Sequence, residues 1–247
     1  MPRPADPVFR EQCLLDATAL LLIAHGYDKT TVADVALAAG VSKGAVYLHF
    51  DSKEALFDAL VLREMKAFAQ RWLDAVEATP EGGRIGPLFR IALQQLCEHE
   101  LLASLMRADS RVLGSALRRP GTRLQAGRSP MARQAFVQAM QSAGALRVDL
   151  DAAVTAQILG LLSAGLVQLA AQGSQGSREA LLDAIADMLE RAFSPPPPAR
   201  SSSSKGRSRN ASDSAASQAG KAIVRKLVEA GLARLQAGSA SGPGARQ

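Results

Sequence analysis

Hydroxyl, small and basic side chains are concentrated between Thr30 and Phe50, at the starts of two short helical patterns. Thr31 and Ser42 each precede one of these patterns, and both residue types are preferred helix N-caps. A helix N-terminus binds phosphate because it carries free N–H groups and a partial positive charge. The chemistry predicted for this stretch is therefore recognition of nucleic acid.

The apolar residues of the same stretch predict two helices joined by a tight turn. Val32, Val35 and Ala36 recur at helical spacing, and Gly40 follows where the chain must leave the helix in a left-handed conformation. In the second helix Val46 and Phe50, four residues apart, are predicted to face inward. The pattern predicts a helix-turn-helix whose second helix lies in the major groove of DNA.

Each outward residue has a predicted role. Lys43 reaches a phosphate or a guanine edge, Ala45 contacts a thymine methyl group, and Lys53 holds the flanking backbone. The predicted DNA-binding residues are Thr31, Ser42, Lys43, Gly44, Ala45, Tyr47, Leu48, His49 and Lys53. Three alternatives stay open: Tyr47 in the core, His49 as an ordinary surface residue, and Lys53 as a solvated first-turn lysine.

This region resembles the TetR family of transcriptional regulators. The resemblance extends upstream to REQCLLDATALLLIAHGY, which ends at Tyr27, and downstream to FDSKEAL, which begins at Phe50. Leu22 departs from it, because the family usually has Phe there. The resemblance implies DNA contacts at the residues above, an effector pocket, and pairing of two subunits through the last two helices of the regulatory region.

Composition favours an all-α fold. The 247 residues are 47% hydrophobic but only 4% aromatic, and the abundant Ala and Leu favour helices over sheets. The segment 1–66 has seven Lys and Arg against nine Asp and Glu, whereas 195–247 has nine against two. The basic residues of the predicted DNA-binding module must therefore be few and well placed.

Four segments are predicted. A three-helix DNA-binding domain (1–66) is followed by a larger helical effector-binding and dimerisation domain (67–194). A disordered Pro, Ser and Arg linker (195–218) then leads to a basic amphipathic helix and tail (219–247). Helices are expected at 52–78, 87–106, 108–117, 130–143, 150–171 and 178–193, with an Arg-rich loop at 118–129.

Two features of the larger domain are tied to function. The helix at 150–171 is apolar nearly all round, so it is predicted to pair subunits; the alternative is a core helix of a monomer. Polar or polarisable side chains that suit an effector are Trp72, Gln94, Cys97, Met106 and Gln157. Each of these also has an ordinary structural or surface role as its alternative.

Other classes of protein are disfavoured. No apolar run is expected to reach the roughly 20 residues that cross a membrane, and no signal peptide is visible. Cys13 and Cys97 are isolated, so neither a metal site nor a disulfide is predicted. Catalytic motifs are not visible either. We expect no enzyme activity and no cofactor, and we expect a cytoplasmic, nucleoid-associated bacterial protein.

The sequence thus predicts a homodimeric repressor that binds a palindromic operator on double-stranded DNA and is released by a small-molecule effector. The main alternative is a non-specific DNA-organising or membrane-tethering protein that uses the basic tail. An enzyme with an unrecognised helical site is the third possibility. For the tail itself, docking on the regulatory domain, self-association, lipid contact, non-specific DNA affinity and no function all stay open.

Overall fold

The computed structural model describes residues 7–119, 130–170, 175–196 and 207–240, and every regular element within these ranges is a helix. The all-α prediction is confirmed. In chain order the helices are α1 (Pro7–His25), α2 (Val32–Ala38), α3 (Lys43–Tyr47), α4 (Lys53–Ala78), α5 (Ile85–Glu98), α6 (Glu100–Arg107), α7 (Ser110–Leu113), a 3-10 helix (Gly114–Arg118), α8 (Pro130–Ser142), α9 (Ala152–Ala170), α10 (Gln175–Phe193) and α11 (Arg207–Ala240).

The helices form two compact units. The first unit spans residues 1–65 and 99–128, and the second spans 66–98 and 129–247. The first unit thus contains α1 to α3, the start of α4, and also α6, α7 and the 3-10 helix. α4 passes from the first unit to the second between Met65 and Lys66. The sequence did not predict that the segment from His99 onward belongs with the N-terminal helices.

A core of buried aliphatic and aromatic side chains holds the first unit together. Leu14 of α1, Phe57 and Leu60 of α4, Leu101 of α6 and Leu113 of α7 are all almost fully buried in one cluster. Apolar side chains at helical spacing on α1 and α4 supply a large part of this core. The short helices α6 and α7 therefore stabilise the same unit that carries α2 and α3.

The loop after α1 is hydrogen-bonded to α7 and to the 3-10 helix that follows it. The Tyr27 N–H donates to the Val112 carbonyl oxygen at 2.8 Å. The Asp28 carboxylate accepts from both the N–H and the hydroxyl of Ser115. Gly114 has a φ of +46°, and a Cβ atom there would meet an Asp28 carboxylate oxygen at 2.2 Å, so only glycine fits. These contacts fix the entry into the helix-turn-helix.

The single helix predicted at 87–106 is wrong, because the chain breaks at His99 into α5 and α6. His99 has extended backbone angles and is the N-cap of α6: its Nδ1 atom accepts a hydrogen bond from the Leu102 N–H. A side chain that satisfies a free N–H competes with continuation of the helix. Apolar periodicity carries no information on such a break.

In the second unit α5 packs on α10 and α8 packs on α9, around a cluster that includes Val76, Ile85, Met140 and Leu189. The Glu190 carboxylate accepts from the Gly86 N–H at 3.0 Å and pairs with Arg84. The main-chain start of α5 is therefore satisfied by a side chain of α10.

The expectation that no apolar run reaches membrane-spanning length is wrong for α9. The 18 residues Ala152–Leu169 have a mean hydropathy of 1.7, and α9 is the one helix of this length and composition in the described residues. Its sequence is interrupted by Gln, Ser and Thr, which concealed the run. Core helices of soluble proteins meet the same criterion. α9 also packs against α5 and α8 within the second unit.

The C-terminal helix starts earlier than predicted. The linker was expected to continue to residue 218, but α11 begins at Arg207; residues 197–206 lie outside the described ranges. Ser217, Val224 and Val228 of α11 are buried against the second unit. The Arg-rich loop predicted at 118–129 likewise lies almost wholly outside the described residues. Of the roles considered for the tail, docking on the larger domain is the one observed.

Candidate nucleic-acid interface

α2 begins with a reciprocal pair of hydrogen bonds. The Thr31 hydroxyl oxygen accepts from the Asp34 N–H at 3.2 Å, while the Asp34 carboxylate accepts from the Thr31 N–H at 2.9 Å and from its hydroxyl at 2.7 Å. This is a capping box, which satisfies N–H groups that the helix itself leaves free. The hydrogen bonds from Thr31 hold the pKa of Asp34 below its ordinary value. The Thr31 hydroxyl proton is therefore already donated within the protein.

The turn between α2 and α3 has the predicted geometry. Gly40 adopts a φ of +67°, the left-handed conformation expected where α2 ends. Ser42 is the N-cap of α3, with its hydroxyl oxygen accepting from the Ala45 N–H at 3.2 Å. The exposed N-terminus of α3 thus presents a hydroxyl and free N–H groups to solvent.

The two faces of α3 divide as the sequence predicts. Val46 and Phe50 are buried in the first unit. Tyr47 is 46% exposed, which excludes the alternative that it is a core residue. The remaining predicted contacts on this helix are exposed or half-buried: Ser42, Lys43, Gly44, Ala45, Leu48 and His49.

The outward face of α3 combines a cation, an aromatic ring and an open backbone. The Lys43 ammonium lies 5.9 Å from the centre of the Tyr47 ring. A Cβ atom at Gly44 would have no contact closer than 3.9 Å, so its backbone is accessible. Ammonium and phenol groups both donate hydrogen bonds to phosphate and to base edges. This surface has the chemistry of a DNA-recognition helix.

Lys53 and Thr31, two further predicted contacts, are hydrogen-bonded within the protein. The Lys53 ammonium donates to the carbonyl oxygen of Tyr27. The Tyr27 hydroxyl in turn donates to Glu54 at 3.0 Å, and burial together with Glu54 raises the pKa of Tyr27 to about 12. The first turn of α4 is therefore attached to the end of α1.

A polar network that the sequence did not reveal joins α1, α4 and α6. Glu64 is buried and accepts from His99 Nε2 at 2.8 Å and from Arg63 at 2.6 Å. Arg63 also donates to Asp16 at 2.6 Å. The hydrogen bond from His99, followed by Arg63, lowers the pKa of Glu64 to about 2. Because His99 Nδ1 is an acceptor, the proton of its neutral ring lies on Nε2.

The predicted effector residues are dispersed. Met106 lies in the first unit, whereas Trp72, Gln94, Cys97 and Gln157 lie in the second. Gln157 is exposed on α9. Gln94 is held on the surface of α5, accepting from Arg90 and donating to Glu98.

Trp72, from the predicted set, and Gln95 are better placed to meet a ligand. The indole N–H of Trp72 and the side-chain oxygen of Gln95 are buried without a hydrogen-bond partner among the described residues. The Gln95 amide nitrogen donates to the Arg71 carbonyl oxygen at 3.1 Å. Buried polar atoms without partners are costly and uncommon in proteins.

The geometry of α2, the turn and α3 is that of a helix-turn-helix, a module of the class that binds DNA. Residues 14–60 match the model of the bacterial regulatory proteins of the tetR family. This module is therefore a DNA-binding domain of the tetR-family type, and the chain is similar to TetR-family transcriptional regulators. The relatives and structural neighbours are likewise transcriptional regulators.

The similarity to individual proteins is strongest in the N-terminal module. The chain is 44% identical over 64 residues to the HTH-type transcriptional repressor KstR2 of Rhodococcus jostii, a match covering 24% of this chain and only 31% of that protein. It is 25% identical over 169 residues to the probable acrEF/envCD operon repressor of Escherichia coli K12, covering 66% of this chain and 77% of the relative.

Solved structures extend the similarity beyond the N-terminal module. The transcriptional regulator FadR of Bacillus subtilis, solved in complex with stearoyl-CoA, matches with a TM-score of 0.56 at 20% identity. The match covers 72% of this chain and 96% of FadR. At this identity the similarity establishes the fold, a helix-turn-helix domain followed by a helical domain.

Proposed function

We propose that the protein is a homodimeric repressor that binds a palindromic operator and leaves it when a small-molecule effector binds. The main support for a dimer is the set of exposed apolar side chains on α9 and α10. Leu161 is 75% exposed, and Val154, Leu169 and Met188 are also largely exposed. Val154, Leu161 and Leu169 are seven and eight residues apart, so they lie on one face of α9, and exposed apolar patches mark contacts with other proteins. A second copy of the same helix pair is the natural partner, because symmetric dimers use one surface twice.

The dimer supplies the geometry for operator recognition. Two α3 helices related by a twofold axis fit successive major grooves when they are about 34–36 Å apart. Lys43, Gly44, Ala45 and Tyr47 are then the residues proposed to contact bases and phosphates, with Ser42, Leu48 and His49 at the edges. Thr31 is proposed to act through its cap, and Lys53 through the attachment of α4 to α1.

Release follows from a shift between two states of the dimer. An effector weakens operator binding if it binds more tightly to a state in which the α3 helices have another spacing. Such a molecule has an apolar part, for the aliphatic interior of the second unit, and a polar group. Trp72 and Gln95 are proposed to bind that polar group, because one offers a buried donor and the other a buried acceptor. Gln94, Cys97, Met106 and Gln157 stay as weaker proposals.

Ligand binding by the FadR neighbour supports an effector for this fold without identifying it. FadR of Bacillus subtilis was solved with stearoyl-CoA. The proposed location is the bacterial cytoplasm, where the operator lies. We assign the exposed apolar residues of α9 to the dimer contact and not to a membrane span. The reason is that α5 and α8 of the same unit pack against this helix.

The test is selection of DNA fragments from a random double-stranded library by the purified full-length protein, followed by sedimentation of the complex. We expect a palindromic consensus and two chains on each site. A monomer that occupies a non-palindromic site would contradict the dimer. Binding that depends on DNA length but not on sequence would instead support the non-specific DNA-organising function.

A further inference from the structure

The C-terminal end of α4 is held by α11. Lys221 is only 7% exposed, and its ammonium donates to the carbonyl oxygen of Glu77 at 3.0 Å. Glu77 lies in the last turn of α4, where carbonyl groups have no partner within the helix. A cation stabilises this end of a helix because the helix dipole makes it partially negative. Lysine is rarely buried without such a partner.

Further contacts from α11 bind the turn between α4 and α5. The Ser217 hydroxyl donates to the Pro80 carbonyl oxygen at 3.0 Å, and its oxygen accepts from the Gly83 N–H at 3.4 Å. Arg225 pairs with the Glu77 carboxylate at 2.8 Å. Both the main chain and the side chain of the α4 end are therefore bound by one helix.

A contact between two glycines brings the backbones together. A Cβ atom on Gly220 would lie 1.9 Å from the Gly83 carbonyl oxygen, and one on Gly83 would lie 1.9 Å from the Ser217 carbonyl oxygen. No other residue type fits either position without moving the backbone. By contrast, a Cβ atom on Gly231 of the same helix would meet nothing within 4 Å.

Apolar side chains continue the contact along α11. Val224 and Val228 are buried in the cluster that contains Val76 of α4, and Ile223 and Leu232 pack against it. Burial of one valine side chain contributes on the order of 1.5 kcal/mol or more. The helix is therefore a component of the second unit and not an appended basic tail.

We propose that α11 is a positioning element for α4, acting through Ser217, Gly220 and Lys221. α4 is one continuous helix that starts beside Tyr27 in the first unit and ends under α11 in the second. Restraint of its end limits the arrangements that the two recognition helices of a dimer adopt. Apparent operator affinity rises with the fraction of dimers that have the competent spacing. This inference rests on the proposed operator-binding dimer.

The main experiment compares Gly220→Ala with Gly231→Ala in the full-length protein. Both changes increase helix propensity equally, but only the first places a methyl group against Gly83. Hydrogen exchange at the Gly83 amide, measured by mass spectrometry of the 79–86 peptide, reports whether α11 has left. We expect faster exchange and roughly five-fold or weaker operator binding for Gly220→Ala, and wild-type values for Gly231→Ala.

A second pair controls for charge and for folding. Lys221→Met and Lys226→Met each remove one positive charge, so both lose the same electrostatic attraction to DNA. They differ in that Lys226 is exposed, whereas Lys221 is buried against α4. We expect only Lys221→Met to lower the ratio of operator affinity to random-DNA affinity. Spin labels at Leu37→Cys in a background without Cys13 and Cys97 should show a broader distance between subunits in Lys221→Met. Circular dichroism shows whether each variant is folded. If Gly220→Ala fails to fold, the comparison of Lys221→Met with Lys226→Met tests the proposal instead.

The outcomes separate this inference from the proposed function. If the wild-type protein selects no DNA sequence, the operator-binding function fails. A second case is that the wild type binds its operator and Gly220→Ala shows fast hydrogen exchange at Gly83. If that variant then has the operator affinity and the distance between recognition helices of the wild type, positioning by α11 is wrong. Equal effects of Lys221→Met and Lys226→Met would also overturn it, because charge alone would then account for the loss.

Discussion

The ammonium group of Lys53 donates a hydrogen bond of 2.5 Å to the Tyr27 carbonyl oxygen and lies 4.1 Å from the centre of the Tyr27 ring. One side chain at the start of α4 thus binds a carbonyl oxygen in the loop after α1 and forms a cation–π contact with the same residue. Lys43 is a lysine of the same unit with its ammonium on the outer surface of α3. We therefore expect Lys53 to stabilise the fold and Lys43 to contact DNA.

The first prediction separates these two lysines. Lys43→Met should weaken operator binding by roughly 1–3 kcal/mol, the range for a contact to a base or an ordered phosphate, without changing stability. Lys53→Met should lower the free energy of unfolding by about 1–2 kcal/mol, because it removes a charged hydrogen bond and a cation–π contact. Urea unfolding and operator titration of both variants provide the measurements. Equal losses of operator affinity at unchanged stability would show that Lys53 contacts DNA directly.

The second prediction concerns the cap of α2. Thr31→Ala should destabilise the protein by about 1 kcal/mol, because the N-cap hydroxyl is lost. Thr31→Ser keeps all three hydrogen bonds with Asp34 and should retain stability and operator affinity. Thermal unfolding and DNA titration of the pair provide the check. If Thr31→Ser keeps stability but loses operator affinity, the Thr31 methyl group makes a DNA contact that the cap does not account for.

The third prediction is a dependence of stability on pH through Glu64. Its pKa falls from 4.5 to about 2 on folding, since His99 and Arg63 bind the carboxylate. A lowered carboxylate pKa stabilises the fold above the unfolded pKa, and this stabilisation is lost as the pH falls from about 4.5 through about 2. Glu64→Gln should reduce the free energy of unfolding at pH 7 by about 1.5–3 kcal/mol.

The measurement for Glu64 is urea unfolding of wild type and Glu64→Gln between pH 7 and pH 2.5. The difference between the two proteins should be constant from pH 7 down to about 5 and should shrink below it. Glu98→Gln is a suitable control, because Glu98 lies exposed at the end of α5. A Glu64 difference that is the same at every pH would mean that shape, and not charge, stabilises this site.

The fourth prediction tests the surface of α9. Leu161→Asp places a charge in the proposed dimer contact and should convert dimers to monomers in sedimentation at micromolar concentration. Val148→Asp is the matched control, because Val148 is equally exposed but lies outside α9 and α10. Monomers should bind the operator much more weakly, since each half-site is then held alone. Dimers that persist in Leu161→Asp would move the interface to another surface.

The helix-turn-helix was predictable because short-range rules determine it. The glycine at 40, the N-cap at Ser42 and the inward pair Val46 and Phe50 all depend on residues within one or two turns. These predictions are confirmed by the structure. The proposed DNA contacts themselves stay predictions, because contact with DNA depends on the partner.

The remaining features depend on residues far apart in the sequence. The helix breaks at His99, whose side chain is hydrogen-bonded to Glu64, 35 residues away. The burial of Lys221 depends on Glu77, 144 residues away. A basic amphipathic helix, as predicted for 219–247, has its lysines on a solvent-exposed face, but Lys221 is buried because the end of α4 supplies an acceptor. Periodicity describes how a helix is divided into faces, but it contains no information on which neighbour covers each face.

The glycine pair at 83 and 220 has a consequence for the register of α11. A shift of α11 by one residue moves it by 1.5 Å and turns it by about 100°, which would bring Ala219 or Lys221 to the crossing. Both residues carry a Cβ atom, so the crossing accepts one alignment of the helix. Insertions before Arg207 should therefore be tolerated, whereas one residue inserted between Gly220 and Val224 would separate the glycine contact from the apolar stripe.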